Sequence, residues 1–155
     1  MHKSKYDIVF GGLPKKKHEF YYIINENNFY DFFKTKDYIE KCEIEIKITL
    51  NNISLIKEFV FDITGLVYSF CDTCNKKIIL SIKTKQNLIL KPNNSDYEDD
   101  QIIFIDYNSH KINIIKFVYE YIMLSLPMKK TCEISEEKAS CDKNMINEIK
   151  KYIYK

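Results

Sequence analysis

The chain has 155 residues and a formal net charge of only +2, from 24 basic and 22 acidic residues. A charge this small does not drive indiscriminate binding to polyanions. Every basic residue other than histidine is a lysine, so the chain has no guanidinium to grip guanine or phosphate in a bidentate way. These properties argue against a protein that reads DNA sequence closely, and we expect no DNA partner.

The length is ordinary for one hydrophobic core, and we predict a single domain over residues 1–155. No apolar leader follows Met1, and no run approaches the roughly 18 apolar residues that a membrane-spanning helix needs. We therefore expect a cytoplasmic protein with no membrane partner. In that compartment, the five cysteines indicate free thiols or metal ligands rather than disulfides.

Strand patterns occupy most of the first 105 residues. The clearest is at 43–50, where isoleucine alternates with charged residues and places one apolar face on a half-buried strand. Glycine at position 65 indicates a β-bulge in the long strand that precedes the cysteine turn. The predicted strands are 18–24, 43–50, 55–70, 77–90 and 102–105, with a short helical or irregular connection at 28–33 and an acidic loop at 92–100.

Helical patterns follow. The sequence predicts a helix over 114–124, with Asn113 as its N-cap and Pro127 just beyond its end. A polar loop at 129–142 leads to a short terminal helix at 144–152, whose apolar stripe is Met145, Ile149 and Tyr152. The fold class is therefore α+β: a twisted antiparallel β-sheet, open or closing toward a barrel, with one packed helix and a short C-terminal helix.

Cysteine spacing marks the strongest candidate for a chemical centre. Cys71 and Cys74 form a C-x-x-C pair at the tip of the hairpin predicted from 55–70 and 77–90. Such a turn directs two thiolates to one side and supplies half of a tetrahedral zinc site, and Asn75 tolerates the left-handed backbone that this kind of turn needs. Cys132 and Cys141 are available to complete the site. The alternatives are a structural four-cysteine zinc site, unliganded thiols and a vestigial metal site.

Other chemical centres find less support. His2, His18 and His110 are scattered, with no nucleophile placed beside them, and Glu120 lies on a largely apolar helix. A thioredoxin-like redox role fits poorly, because that chemistry places its C-x-x-C at the start of a helix rather than between two strands. We therefore predict that the protein is not an enzyme.

Lysines cluster near several turns and would form an RNA-facing patch if those turns converged on one side of the fold; otherwise they are an ordinary solvated surface. The candidate RNA-binding residues are Lys15, Lys16, Lys17, Lys76, Lys77, Lys129 and Lys130, with Lys83 and Lys85 on the intervening strand.

The order of motifs resembles the YceD family of large ribosomal RNA subunit accumulation proteins, also known as a domain of unknown function. The resemblance rests on Gly65, the Cys71-Asp-Thr-Cys74 turn, the segment Tyr119-Glu-Tyr-Ile-Met-Leu-Ser-Leu-Pro-Met128, and Cys132 with Cys141. The opening Tyr6-Asp-Ile-Val-Phe-Gly-Gly-Leu13 is similar to that of Bacteroidetes-type members. The segment that ends in Leu-Ser-Leu-Pro127 is the most specific part of the resemblance.

This resemblance implies a non-enzymatic factor in large ribosomal subunit biogenesis. Its partner would be precursor large-subunit ribosomal RNA or a large-subunit ribosomal protein. The alternatives are a protein-interaction adaptor without RNA contact and a thiol- or metal-dependent enzyme.

Overall fold

The structure is a computed structural model that describes residues 5–29, 39–52, 55–92, 99, 101–137, 141 and 143–153. His2, most of the predicted connection at 28–33, most of the acidic loop and the Met145 side chain lie outside this description. The elements in chain order are β1 (Asp7–Val9), β2 (Lys17–Ile24), β3 (Lys41–Asn51), β4 (Lys57–Phe70), β5 (Lys77–Pro92), β6 (Ile102–Ile105), β7 (Lys111–Asn113), α1 (Ile115–Ser125), a short 3-10 helix (Cys132–Ile134) and α2 (Lys143–Ile153).

The main sheet has five strands in the order β2-β3-β4-β5-β6. Strands β2 to β5 pair with their neighbours antiparallel, as predicted. In contrast, β6 lies parallel to β5, with Ile102 beside Ile89. The nine residues between Pro92 and Ile102 allow the chain to return to the level of Ile89, where β6 begins and runs parallel to β5. The sheet is therefore mixed and open, and the alternative of a closed barrel is wrong.

Alternation along the strands gives the sheet one apolar face. On β3, the isoleucines at 44, 46 and 48 are buried, whereas Glu43 and Glu45 are exposed on the other face. Phe59, Phe61 and Ile63 continue the buried face on β4. Helix α1 buries Val118, Tyr121 and Ile122, and the Tyr121 ring meets the Phe61 ring edge to face at a centroid distance of 5.1 Å. The packing confirms the predicted helix on an α+β sheet.

The start of α1 corrects the predicted N-cap. The residue that flanks the helix is Ile114, one position after Asn113, and no side chain caps it in the usual way. Asn113 still contributes, because its Oδ1 accepts a hydrogen bond from the Ile115 N–H at 3.1 Å. Its Nδ2 donates to Asp7 Oδ1 at 2.7 Å. The asparagine therefore ties the helix start to β1.

A two-stranded ribbon of β1 and β7 was not predicted from the sequence. These strands pair antiparallel, with Asp7 opposite Asn113 and Val9 opposite Lys111. Each has three residues, too few to display a period of two. Ile8 and Phe10 are nevertheless buried in the main core, so the ribbon helps to cover the sheet.

Gly65 is not a bulge, which corrects the prediction. It pairs in unbroken register with Ile44 on β3 and Ile82 on β5. A Cβ at this position would collide with the carbonyl oxygen of Glu43 and would lie 2.7 Å from the Ile44 Cα. Glycine is needed here because the neighbouring backbone passes too close for any side chain.

Replacement of Gly65 by alanine should therefore destabilise the sheet. We expect Gly65→Ala to lower the free energy of unfolding by about 1–3 kcal/mol, the usual cost of forcing extra atoms into a packed site. Thr64→Ala, on the exposed face beside it, should cost less than about 1 kcal/mol. Urea denaturation would measure both variants, and equal losses would contradict the steric explanation.

Candidate metal centre

The predicted C-x-x-C turn joins β4 to β5 at one end of the sheet. The Cys71 N–H donates to the Lys76 carbonyl at 2.8 Å, and the Asn75 N–H donates to the Cys71 carbonyl at 2.8 Å. Asn75 has a φ of 60°, which confirms the left-handed backbone predicted for it. These contacts fold the turn back on itself and bring its two thiols close together.

Reciprocal contacts attach the segment after α1 to this turn. The Asp72 N–H donates to the Lys130 carbonyl at 2.6 Å, and the Lys130 N–H donates to Asp72 Oδ2 at 2.7 Å. The Lys130 ammonium also lies 3.9 Å from Asp72 Oδ1, and its side chain is only 12% exposed. A side chain this covered contributes little to an open lysine surface, although it was predicted as an RNA-binding candidate.

A second attachment lies beyond the 3-10 helix, on the edge of β5. The Ile79 N–H donates to Ser135 Oγ at 3.1 Å, and the Glu136 N–H donates to the Ile79 carbonyl at 2.8 Å. Ser135 is buried. Cys132 therefore lies between two anchored points, Lys130 and Ser135, and this fixes its position against the turn.

The four thiols meet in one cluster. Cys71 Sγ lies 3.5 Å from Cys141 Sγ, and Cys74 Sγ lies 3.5 Å from Cys132 Sγ. All four sulfurs are within 4.8 Å of one another. In a tetrahedral zinc site with Zn–S bonds of about 2.3 Å, neighbouring sulfurs are about 3.8 Å apart. Both the donor set and the spacing of the sulfurs are therefore those of a four-cysteine metal site.

Apolar side chains surround the sulfurs. Cys71, Cys74 and Cys132 are buried together with Ile78 and Leu80, and Leu126 packs against them. Cys141 is half-buried on the outside of the cluster. This shell limits the access of water to the sulfurs, as is typical around a structural metal site.

Hydrogen bonds and burial shift the pKa values of three of the four thiols differently. Burial raises the pKa of Cys71, but hydrogen bonds from the backbone of Cys74 and Thr73 lower it more, to about 6. Burial, followed by the hydrogen bond with Cys74, raises the pKa of Cys132. The pKa of Cys141 is raised chiefly by its hydrogen bond with Cys71. Of these three thiols, Cys71 loses its proton most readily.

Cys42 is separate from this cluster. It lies on β3 opposite Val67 and is fully buried in the main core. Burial raises the pKa of its thiol to about 12. It serves as a small apolar core residue.

The predicted lysine patch is divided between the two ends of the sheet. Lys76, Lys77 and Lys129 lie around the cysteine turn, where Lys77 pairs with Glu40 at 2.9 Å. Lys17, next to Lys15 and Lys16, lies opposite Asn51 of β3, which lies opposite Glu58 near the beginning of β4. Lys77 lies opposite Phe70, the last residue of β4. The strand from Glu58 to Phe70 is about 40 Å long. The structure therefore does not bring the two lysine groups together.

Histidine and Glu120 take no part in the cluster. His18 Nε2 lies 2.8 Å from the Pro14 carbonyl oxygen, far along the sheet from the cysteines. Glu120 pairs with Lys116 across one turn of α1 at 4.0 Å. Sequence reasoning missed Asp72 and Ser135, which attach the segment carrying Cys132. An acidic residue inside the C-x-x-C turn was the available signal for the first, and nothing local indicated the second.

Within the described ranges, no helix combines the length and the apolar character required to cross a bilayer.

Comparison with known protein families identifies a match over the second part of the chain. The profile of the family described as "Large ribosomal RNA subunit accumulation protein YceD" matches residues 59–152, more than half of the chain. This range includes the cysteine turn, α1 and the segment that carries Cys132 and Cys141. No curated protein and no solved structure matches the chain significantly.

Asp72 can be tested as the residue that attaches the C-terminal segment. Asp72→Ala should lower the free energy of unfolding by about 1–2 kcal/mol, because the Lys130 N–H loses its acceptor. Asp72→Asn keeps an oxygen in place and should lose less. Urea denaturation gives the stabilities, and hydrogen exchange at the Lys130 amide reports the local attachment. Unchanged exchange in Asp72→Ala would contradict this role.

Proposed function

The chain belongs to the YceD family, and we propose that it supports the accumulation or processing of large-subunit ribosomal RNA without catalysing a reaction. The partner is precursor ribosomal RNA or a large-subunit ribosomal protein. The family description supports a role in the accumulation of large-subunit ribosomal RNA. The observation that carries the proposal is the four-cysteine cluster, which joins the hairpin tip to the segment beyond α1 inside the matched range.

We assign a structural zinc ion to Cys71, Cys74, Cys132 and Cys141. Among the described residues, four cysteine sulfurs come together with no other ligand atom, which favours zinc held in a closed tetrahedron over a catalytic site, which keeps one position open. Because zinc takes thiolates, binding displaces the protons that the sulfurs would otherwise keep. The ion would fix the hairpin tip and the C-terminal segment as one rigid surface.

Lys76, Lys77 and Lys129 supply positive charge around that surface. Lysine presents a point charge that suits phosphate contacts and carries little base specificity. The pair of Lys77 with Glu40 is exposed on the lysine side, and such pairs are weak and easily exchanged. The ammonium can therefore leave the carboxylate for a phosphate group of RNA.

An adaptor that contacts only a ribosomal protein remains the alternative, and it predicts no dependence on these lysines. An enzyme is a weaker alternative, because the cluster contains only cysteines and no described histidine accompanies it. A role in ribosome assembly also accounts for the expected cytoplasmic location, with no DNA or membrane partner.

Metal content tests the zinc assignment. The purified full chain should carry about one zinc ion per chain, as measured by inductively coupled plasma mass spectrometry. Cys71→Ser and Cys132→Ser should each lose most of this zinc, whereas Cys42→Ala should keep it because Cys42 lies in the separate core. Undiminished zinc in Cys71→Ser would end the assignment.

Cells depleted of the protein test the biological role. We expect the ratio of large- to small-subunit ribosomal RNA to fall on depletion and to recover with the wild-type chain. A double variant, Lys76→Ala with Lys77→Ala, should restore this ratio only poorly. Its binding to precursor RNA fragments should depend less on salt, with the slope of log K against log salt concentration reduced by about 1 for each lost contact.

The matched control removes two exposed lysines elsewhere, Lys111→Ala with Lys116→Ala, which pair with Asp7 and Glu120. This control should behave as wild type. Full recovery by the first double variant with unchanged RNA binding favours the adaptor, and an unaltered ratio on depletion refutes the assembly role.

A further inference from the structure

A cavity opens at the end of the sheet away from the cysteine turn. It has a volume of about 320 Å³ and lies between the Gly11–Leu13 loop, the start of β4 and the turn that follows β6. This volume is at the lower end of the range for small-ligand sites, about 300–1,000 Å³. Nothing in the proposed role of the cysteine cluster uses this surface.

The most informative residue of the cavity is Lys57, which is half-buried. Its ammonium lies 2.8 Å from Asn52 Oδ1 and 5.4 Å from the centroid of the Phe10 ring. Among the described residues, no carboxylate lies within ion-pair distance of it, in contrast to Lys41, Lys47 and Lys77. A partly desolvated cation held only by neutral groups favours an incoming anion.

Asn52 holds this ammonium in a fixed position. Its side chain is buried, and its Nδ2 donates to the carbonyl oxygens of Leu13 and Pro14 at 3.1 and 3.2 Å. These donations orient the amide so that Oδ1 faces Lys57. The charge is therefore positioned by the fold before any ligand arrives, which reduces the entropy cost of binding.

The remaining walls combine charge and apolar surface. Lys15 adds a second cation and Asp106 one carboxylate, so the charged residues that line the cavity sum to +1 within the part of the chain that the structure describes. That balance suits a phosphodiester, which carries a single negative charge. Leu55 and Tyr107 also line the cavity and are 74% and 72% exposed. An exposed aromatic ring beside a phosphate site is a platform on which a nucleobase stacks.

We propose that this cavity binds one nucleotide unit, with its phosphate on Lys57 and Lys15 and its base against Tyr107 and Leu55. The unit comes from a single-stranded RNA or is a free mononucleotide. The site is separate from the cysteine turn and does not depend on zinc there. Its failure would leave the proposed function intact, because that function is tested through Lys76 and Lys77.

Binding of three probes to the full chain tests the proposal: a fluorescent single-stranded RNA of about ten nucleotides, with AMP and inorganic phosphate as competitors. We expect Lys57→Met to weaken RNA binding by about tenfold or more, while its aliphatic stem preserves the packing on Phe10. Tyr107→Ala should weaken RNA and AMP by about tenfold and leave phosphate unchanged. Lys150→Met, an exposed lysine on α2, is the charge control and should stay within about twofold of wild type.

Each outcome of these binding measurements either supports the proposal or overturns it. Competition by AMP identifies a free-nucleotide site, and RNA binding without competition by AMP identifies a strand site; both support the proposal when Lys57→Met is impaired. Equal RNA binding by wild type, Lys57→Met and Tyr107→Ala overturns it, as does wild type binding none of the probes. If Lys57→Met does not fold, Lys15→Ala and Tyr107→Ala test the proposal instead. Both side chains are exposed, so their removal should leave the fold intact.

Discussion

From Lys57 opposite Leu90 to Phe70 opposite Lys77, β4 and β5 pair without a break. This long antiparallel ladder fixes the two ends of the molecule. One end carries the cysteine turn, and the other carries Lys57 and the cavity. Because a strand is stiff and its side chains alternate strictly, the ladder also decides which residues enter the core. Gly65 lies within it, where the adjacent backbone leaves no room for a side chain.

The segment after α1 is joined to the ladder by hydrogen bonds, two between backbone groups and two from a backbone N–H to the side chain of Asp72 or Ser135. Asp72 and Lys130 exchange hydrogen bonds at the tip, and Ile79 exchanges them with Ser135 and Glu136 along the strand edge. A polar segment with few apolar residues cannot be held by core packing alone. Hydrogen bonds and the cluster of sulfurs take the place of that packing. The cysteines thus belong to the architecture of this end of the molecule as well as to its chemistry.

The strands at 43–50 and 77–90 were predictable because burial of one sheet face forces apolar residues into a period of two. The cysteine turn and Asn75 were predictable because local geometry alone decides them. What the sequence could not reveal depends on distant partners. The parallel placement of β6 and the short pairing of β1 with β7 are set by register between segments remote in the chain. The separation of Lys15 from Lys76 likewise follows from the length of β4.

For the candidate site, the sequence identified the four thiols but not their arrangement. Cys132 and Cys141 lack the close spacing of a second C-x-x-C turn, and the anchors on either side of Cys132 explain how this residue reaches Cys74. Those anchors are single side chains, Asp72 and Ser135, in ordinary polar surroundings. The role of Lys57 was equally hard to predict, because it depends on Asn52 and on the lack of a carboxylate partner for Lys57 among the described residues.

The distance along the chain between the two halves of the thiol cluster has a consequence for biosynthesis. Cys141 follows Cys71 by 70 residues, and Cys132 follows Cys74 by 58. At translation speeds of about 5–20 residues per second, the hairpin thiols wait roughly 4–14 seconds for Cys141. During that interval the nascent turn has only two of its four sulfurs. The cluster can therefore close only after residue 141 has been synthesised, and a chain that stops earlier keeps two thiols at the hairpin tip without Cys141.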